Sequence, residues 1–304
     1  MDPVLAEKQY ELGGVVFGLG CPVAVKEDGF APGSPALRTA DKERPVSDGI
    51  RVGRTRLGAA TWGFTLFTTA QGDGGDADPE IEAWDAVSEL ADAWAGDEVR
   101  DQPETVMPLR YRIAGQTRRV YGQPRRWQPT TNNLSLYGRI DVVADFTVVD
   151  PLIYDDELQT QEVAVAPPQD TSGGLRVPFR PPARLRRGAG TRQSRILIGG
   201  TKPTPISLTF NGPLGAGAKV VTSQWTAQLE EPVASDDPVT IDASPWARSV
   251  TKRSGGGVRV APRITRISKM LLPPGFHDIT FIGADPSGAA SVTVAWRNAR
   301  RSVR

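Results

Sequence analysis

At 304 residues the chain is long for one domain, and a prior of about 150 residues per domain predicts two. Its 32 glycines and 26 prolines, roughly a fifth of the residues, predict short strands and turns yet stay below the level that marks disorder. A net charge of +1 argues against nonspecific nucleic-acid binding, and the single cysteine, Cys21, excludes an internal disulfide or a cysteine-built zinc site.

The start, "MDPVLAEKQYELGG", has neither a basic nor an apolar segment, so it does not read as a signal peptide. No apolar run reaches the roughly 20 residues that cross a bilayer, so no membrane partner is expected. A soluble protein made in a reducing cytosol is the expectation. The runs "GGVVFGLG", "RLGAATWGFTLFTTA", "TVMPLRYRIAG", "TRRVYGQPRRWQP" and "LYGRIDVVADFTVVD" are β-branched and aromatic, with turn formers between them, and predict strands. Among them lies one helix, Asp78 to Arg100. Asp78 suits the N-cap, Pro79 the first helical position, and acids crowd the first turn. Ala83, Val87, Leu90 and Trp94 recur at helical spacing, with Ile81, Trp84 and Ala91 widening the face that should pack on a sheet. The chain is thus expected to be mainly β, with an α+β first domain over residues 1–160.

That domain ends in "DFTVVDPLIYDD", Asp145 to Asp156. Pro151 lacks an N–H for a ladder bond and biases Asp150 toward extended geometry, so the strand should stop there. Asp150, Pro151 and Tyr154 are read as a structural corner, with the Tyr154 ring under the turn and its hydroxyl at the edge. Asp155 and Asp156 should be surface groups whose amide substitutions cost little. Residues 161–194 carry two Pro-Pro pairs, a Gly-Gly and the arginines Arg176, Arg180, Arg184, Arg186, Arg187 and Arg192, and read as an extended connector. From Arg195 the strand rhythm resumes in about eight short runs, which predicts an antiparallel β-sandwich over 195–304.

Chemistry is scarce. His277 is the sole histidine, and it follows a Pro-Pro-Gly-Phe turn. The acid pairs Asp155-Asp156, Glu230-Glu231 and Asp236-Asp237 are adjacent, so on a strand the two side chains of each point to opposite faces. A glycosidase needs two carboxyls facing one substrate, which adjacency does not supply. "GLG" and "KRSGGGVRV" lack the spacing of dinucleotide and phosphate loops. No catalytic residue, metal ligand or cofactor site is therefore assigned. Charge, by contrast, is segregated: Asp73 to Glu104 is almost purely acidic, while the connector and the last domain are basic. Such separation favours head-to-tail or ring assembly, with Glu82, Asp85, Glu89, Arg184, Arg186 and Arg187 as candidate subunit-contact charges.

"RRVYGQPRRW", "DFTVVDPLIYDD", "SGGLRVPFRPP" and "GTKPTPISLTFNGPL", followed by "VTIDA", "RSVTKRSGGG", "LLPPGFHDITFIG" and "SVTVAWRNA", occur in that order. Taken together they resemble the distal tail (Dit) or minor tail proteins of long-tailed siphoviruses, especially phages of actinobacteria. The resemblance implies a first domain that forms a ring, usually hexameric, and a galectin-like sandwich carried outside it. It implies a virion protein made and assembled in the host cytoplasm, without enzyme activity. Its implied neighbours are the tail tube protein, the tape measure protein and the tail-tip hub. A carbohydrate-binding adhesin that meets a host-surface glycan is the competing class, with a glycan hydrolase behind it.

Overall fold

The computed structural model describes residues 3–68, 78–165, 193–285 and 289–303. They form two compact units. One comprises Met1–Glu157 together with Arg300–Arg304, and the other is Leu158–Ala299. The second unit is therefore an insertion: the chain leaves the first unit at Glu157 and comes back to it at Arg300.

The first unit is built on a nine-stranded sheet. Its early strands are β1 (Gln9–Leu12), β2 (Val15–Gly18) and β3 (Val23–Ala31). A narrow ribbon follows, made of β4 (Leu37–Thr39) paired with β7 (Thr55–Leu57) and β5 (Lys42–Glu43) paired with β6 (Ile50–Arg51). Then come β8 (Ala60–Thr68), helix α1 (Pro79–Ala95), β9 (Met107–Ile113), β10 (Gln116–Thr130), β11 (Asp141–Val148) and β12 (Ile153–Asp155). The main order is β2-β1-β9-β10-β11-β8-β3, with β12 added beside β10.

Alternation explains which face is buried. In β8 and β11 every second residue is buried, which gives Trp62, Phe64 and Leu66 on one strand and Val142, Ala144 and Phe146 on its neighbour. Tyr10, Phe17, Phe30, Phe64 and Trp94 pack edge-on or offset at 5.2–6.0 Å between ring centres, separations at which aromatic pairs attract beyond simple burial. Helix α1 joins this core through Ala83, Val87, Leu90 and Trp94, the face its periodicity predicts. The Asp78 carboxylate accepts from Glu80 N, and Gly96 ends the helix at φ 62°, where a Cβ would sit 2.7 Å from Pro124. Trp94 Nε1 donates to Asp145 O at 3.2 Å, so the indole is buried with its polar atom satisfied.

The second unit holds β13 (Gln159–Ala164), β14 (Gln193–Ile198), β15 (Thr204–Pro205), β16 (Ser207–Asn211), β17 (Lys219–Val221), β18 (Thr226–Gln228), β19 (Val239–Asp242), β20 (Ser249–Lys252), β21 (Leu271–Leu272), β22 (Gly275–Ile282) and β23 (Ser291–Trp296). They make a five-stranded sheet, β13-β23-β16-β19-β20, and a four-stranded one, β14-β22-β17-β18, both antiparallel. Leu208, Phe210, Ile241, Val292 and Val294 of the first meet Ile196, Val220, Ile279 and Phe281 of the second in one core. Phe210 and Phe281 touch edge-to-face at 5.7 Å. The last strand, β24 (Ala299–Arg300), pairs with β12.

The seam between units differs from the expected boundaries at 160 and 195. Residues 159–164, which composition divides between the first domain up to 160 and the connector from 161, form β13, an edge of the five-stranded sheet that buries Val163. The rest of the connector, residues 166–192, lies outside the described residues. At the other end, Arg300 onward belongs to the first unit. Polar "QTQEVA" alternates too weakly to announce a strand, and a strand that closes a sheet from afar has no local signal. A fragment of residues 158–299 should thus melt more cooperatively than one of 195–304. The shorter one loses Val163 and Val165, each worth about 1.5–3 kcal/mol when buried. Chemical denaturation of both fragments checks this, and equal midpoints would remove β13 from the unit.

Candidate functional site

Strand β11 ends at Val148, as the Asp150-Pro151 step predicts, but beyond it the chain rejoins the same neighbour, β10, as β12. Val148 lies opposite Gly122 of β10, and Tyr154 lies opposite Arg119 of the same strand. Five residues of one strand thus face two of the other. The chain bulges out at the Asp150-Pro151 step, which cannot supply a ladder bond, and then resumes the same pairing with Asp156 N donating to Thr117 O at 3.2 Å. Inside the bulge Asp150 Oδ1 accepts from Leu152 N at 3.3 Å, and the Tyr154 hydroxyl donates to Asp150 Oδ2. The hydroxyl is not at an edge, because Tyr154 is only 2% exposed and stacks edge-to-face on Tyr121. Burial is the main force on both groups: it raises the Asp150 carboxyl and raises the Tyr154 phenol, so the phenol stays neutral and donates.

Beside the bulge sits a buried ionic cluster that the sequence reading missed. Glu11, Arg110 and Arg119 lie directly opposite one another on β1, β9 and β10, on the face away from the aromatic core. Arg110 and Arg119 are 5% and 8% exposed. Arg110 grips Asp156 with two nitrogens, Nε at 3.0 Å and Nη2 at 2.8 Å, and reaches Glu11 through Nη1 at 3.2 Å. Arg119 donates from Nε to the same Asp156 Oδ1 at 2.8 Å. Burial pulls the Asp156 carboxyl upward, but the two guanidinium groups hold it below the ordinary carboxylate range. Asp156 is therefore no surface group. Asp155, one residue earlier, faces the other way toward Arg300 at 3.4 Å and Arg118 at 4.0 Å, while Arg118 Nη1 donates to Ser302 O at 2.8 Å. These contacts fasten the returning chain end.

Two surface features of the first unit bear on assembly. The ribbon β4–β7 continues from Ala36 to Ala59, with the Arg44 N to Gly49 O bond of 3.2 Å near its tip. Leu37, Val46, Ile50 and Val52 are more than half exposed there, so the ribbon has no core of its own. It carries Arg38, Lys42, Arg44, Arg51, Arg54 and Arg56 against three acids, and no ion pair involves these cations among the described residues. Helix α1 is its opposite: Glu82, Asp85 and Glu89 are exposed and the helix has no basic residue. Arg184, Arg186 and Arg187, the expected basic partners, lie outside the described residues. The ribbon thus offers a basic surface that turn-rich sequence concealed.

The other titratable groups have structural engagements. His277 stands within β22, where its Nε2 donates to Pro273 O at 2.7 Å. Glu231 pairs with Lys252 at 3.3 Å, and Asp237 accepts from both Ser254 N and Ser254 Oγ. Among the described residues no group of three or more His, Cys, Asp or Glu could hold a metal ion.

Two outcomes follow from the clasp and the bulge. Asp156→Asn should cost about 3–5 kcal/mol at neutral pH, as expected when one member of a buried ion pair is removed, whereas Asp155→Asn should cost about 1 kcal/mol. Because the folded Asp156 value is lowered, its contribution is present above the unfolded value near 4 and is lost as pH falls through the folded value. The gap between wild type and Asp156→Asn should therefore narrow on acidification, read by denaturant midpoints at pH 7 and pH 3. Tyr154→Phe should cost about 1–3 kcal/mol by leaving Asp150 without its buried donor. Raised Asp150 acts with the opposite sign: its contribution is full below its unfolded value and fades as pH rises through the folded one.

No family model matches the sequence, and no protein of curated function does. Solved structures match nearly end to end. One is the Dit protein of phage SPP1, described as a paradigm of the hub adsorption apparatus in phages infecting Gram-positive hosts, with TM-score 0.54, 12% identity, and 96% of this chain and 98% of that one covered. Another is the phage P2 baseplate in its activated conformation with Ca, with TM-score 0.51, 10% identity, and 97% and 99% covered. The same baseplate with Sr gives TM-score 0.51 at 12% identity over 94% and 97%. At such identities the likeness is one of fold. This chain has the mainly β, α+β fold of phage distal tail and baseplate hub proteins.

Proposed function

We propose that the chain is a structural protein of a long-tailed phage, assembled as a hexameric ring at the distal tail. In this reading it joins the tail tube and tape measure protein to the tail-tip hub and the receptor-binding parts. It performs no catalysis. The observation that carries the reading is the likeness to SPP1 Dit over 96% of this chain and 98% of that one, so that both units are matched and not one alone.

A ring needs a heterologous contact, in which one surface of a subunit meets a different surface of the next. The basic ribbon and the acidic face of α1 supply such a pair within the first unit. A lone two-stranded ribbon is marginal in water, so a neighbouring subunit also relieves its four exposed aliphatic side chains. Exposed charges are screened within about 3 Å at 1 M salt. Light scattering of the purified protein should give a hexamer at low salt that dissociates more readily at 1 M. Glu82→Lys, Asp85→Lys and Glu89→Lys together should raise the dissociation constant at least about tenfold. Reversing Arg51, Arg54 and Arg56 to Glu in that background should restore assembly. A protein that stays monomeric under all conditions sinks the ring; one whose mass ignores both salt and reversal sinks only its electrostatic basis.

A further inference from the structure

The second unit carries a polar sheet face. In the five-stranded sheet, residues facing the sandwich interior are mostly aliphatic or aromatic, and those facing outward are mostly short and polar, with Glu162 beside Thr293 and Asp242 on β19 as its acids. Thr293, Thr209, Thr240 and Thr251 fall opposite one another on β23, β16, β19 and β20, a row of hydroxyls across four strands. Thr209 and Thr240 hydroxyls are 3.2 Å apart, and Asn211 Nδ2 donates to Ser291 Oγ and Thr293 Oγ1, each at 3.3 Å. Because these side chains are short, they leave an open cleft of about 440 Å³, within the range of small-ligand sites.

Thr209, Asn211, Thr240 and Thr251 form part of its lining, and Lys252 and Arg253 complete the polar part. Lys252 is paired with Glu231 at 3.3 Å, whereas Arg253 makes no ion pair among the described residues. Its backbone is anchored by donation to Pro238 O at 3.1 Å. No carboxylate and no aromatic ring is among the described lining residues. Each threonine hydroxyl offers one donor and two lone pairs, and asparagine offers both kinds of partner. A lining of that kind matches groups that donate and accept at once, which are hydroxyls. The arginine adds a requirement for negative charge, and without a ring there is no platform on which a sugar face could stack.

We propose that this cleft binds a polyol bearing a phosphate or carboxylate, with the threonine row taking the hydroxyls and Arg253 taking the anion. The site lies within one unit of one chain, so dissociated subunits should bind as assembled ones do, and its fate is separate from that of the ring.

Calorimetric titration of the full-length protein with glycerol 3-phosphate, glycerol and inorganic phosphate tests this. Glycerol 3-phosphate should bind at least about tenfold more tightly than either parent, since hydrogen bonds to a charged group are the stronger kind. Arg253→Gln should weaken it about tenfold, and Thr240→Val should weaken it several-fold, with melting unchanged in both. A poly(glycerol phosphate) chain separates the sources: tighter binding than the monomer points to a surface polymer, equal binding to a free metabolite, and both support the site. Absence of saturable binding by glycerol 3-phosphate and the polymer would overturn the proposal. So would inorganic phosphate binding as tightly as glycerol 3-phosphate, or affinity that neither substitution alters.

Discussion

The first unit hangs on one carboxylate. Asp156 follows the bulge and β12, beside β10, and there it holds Arg110 of β9 and Arg119 of β10, and Arg110 in turn holds Glu11 of β1. Two guanidinium groups this deeply buried are tolerable only if their charge is met, since an unpaired buried ion costs several kcal/mol. The residue that meets it is also the last but one before the chain departs into the second unit. At the same place Arg118 and Asp155 fasten the chain when it returns.

Such an arrangement gives the seam a physical character. Both passages between units start or end on strands paired within the first unit, β12 on the way out and β24 on the way back. The bulge at Asp150 supplies the extra length that lets the outgoing strand keep its register with β10 while folding Asp150 and Tyr154 inward. A charged network in such a position imposes direction as well as energy, because bidentate arginine–carboxylate geometry accepts few alternatives. Hydrophobic groups there would pack, but they would not fix which strand meets which.

The two units handle their outer faces differently. The first projects a ribbon that leaves Leu37, Val46, Ile50 and Val52 more than half exposed and whose cations make no ion pair among the described residues. The second seals its interior and coats one sheet mostly with threonine, serine and asparagine, with Glu162 and Asp242 among them.

Local pattern was enough for the amphipathic helix, since cap, acids and the Ala83-Val87-Leu90-Trp94 spacing are all contained within about five turns. It was enough also for β8 and β11, whose strict alternation leaves one orientation, and for the mainly β class. Distance defeated it elsewhere. Asp155 and Asp156 look like a solvated pair because adjacency shows neither Arg110, 46 positions away, nor Arg300, 145 positions away. The ribbon over Ala36–Ala59 gives no strand signal because its side chains do not alternate between a core and solvent. Residues 161–164 read as connector because an edge strand is defined by the strand it joins, β23, which lies near the other end of the chain. The sequence by itself determined the amphipathic helix, the strictly alternating core strands, the mainly β class and the segregation of acid and base. Only the tertiary structure decided which charges are buried, where the units divide and which polar residues share a cleft, because those depend on pairing between residues far apart in the chain.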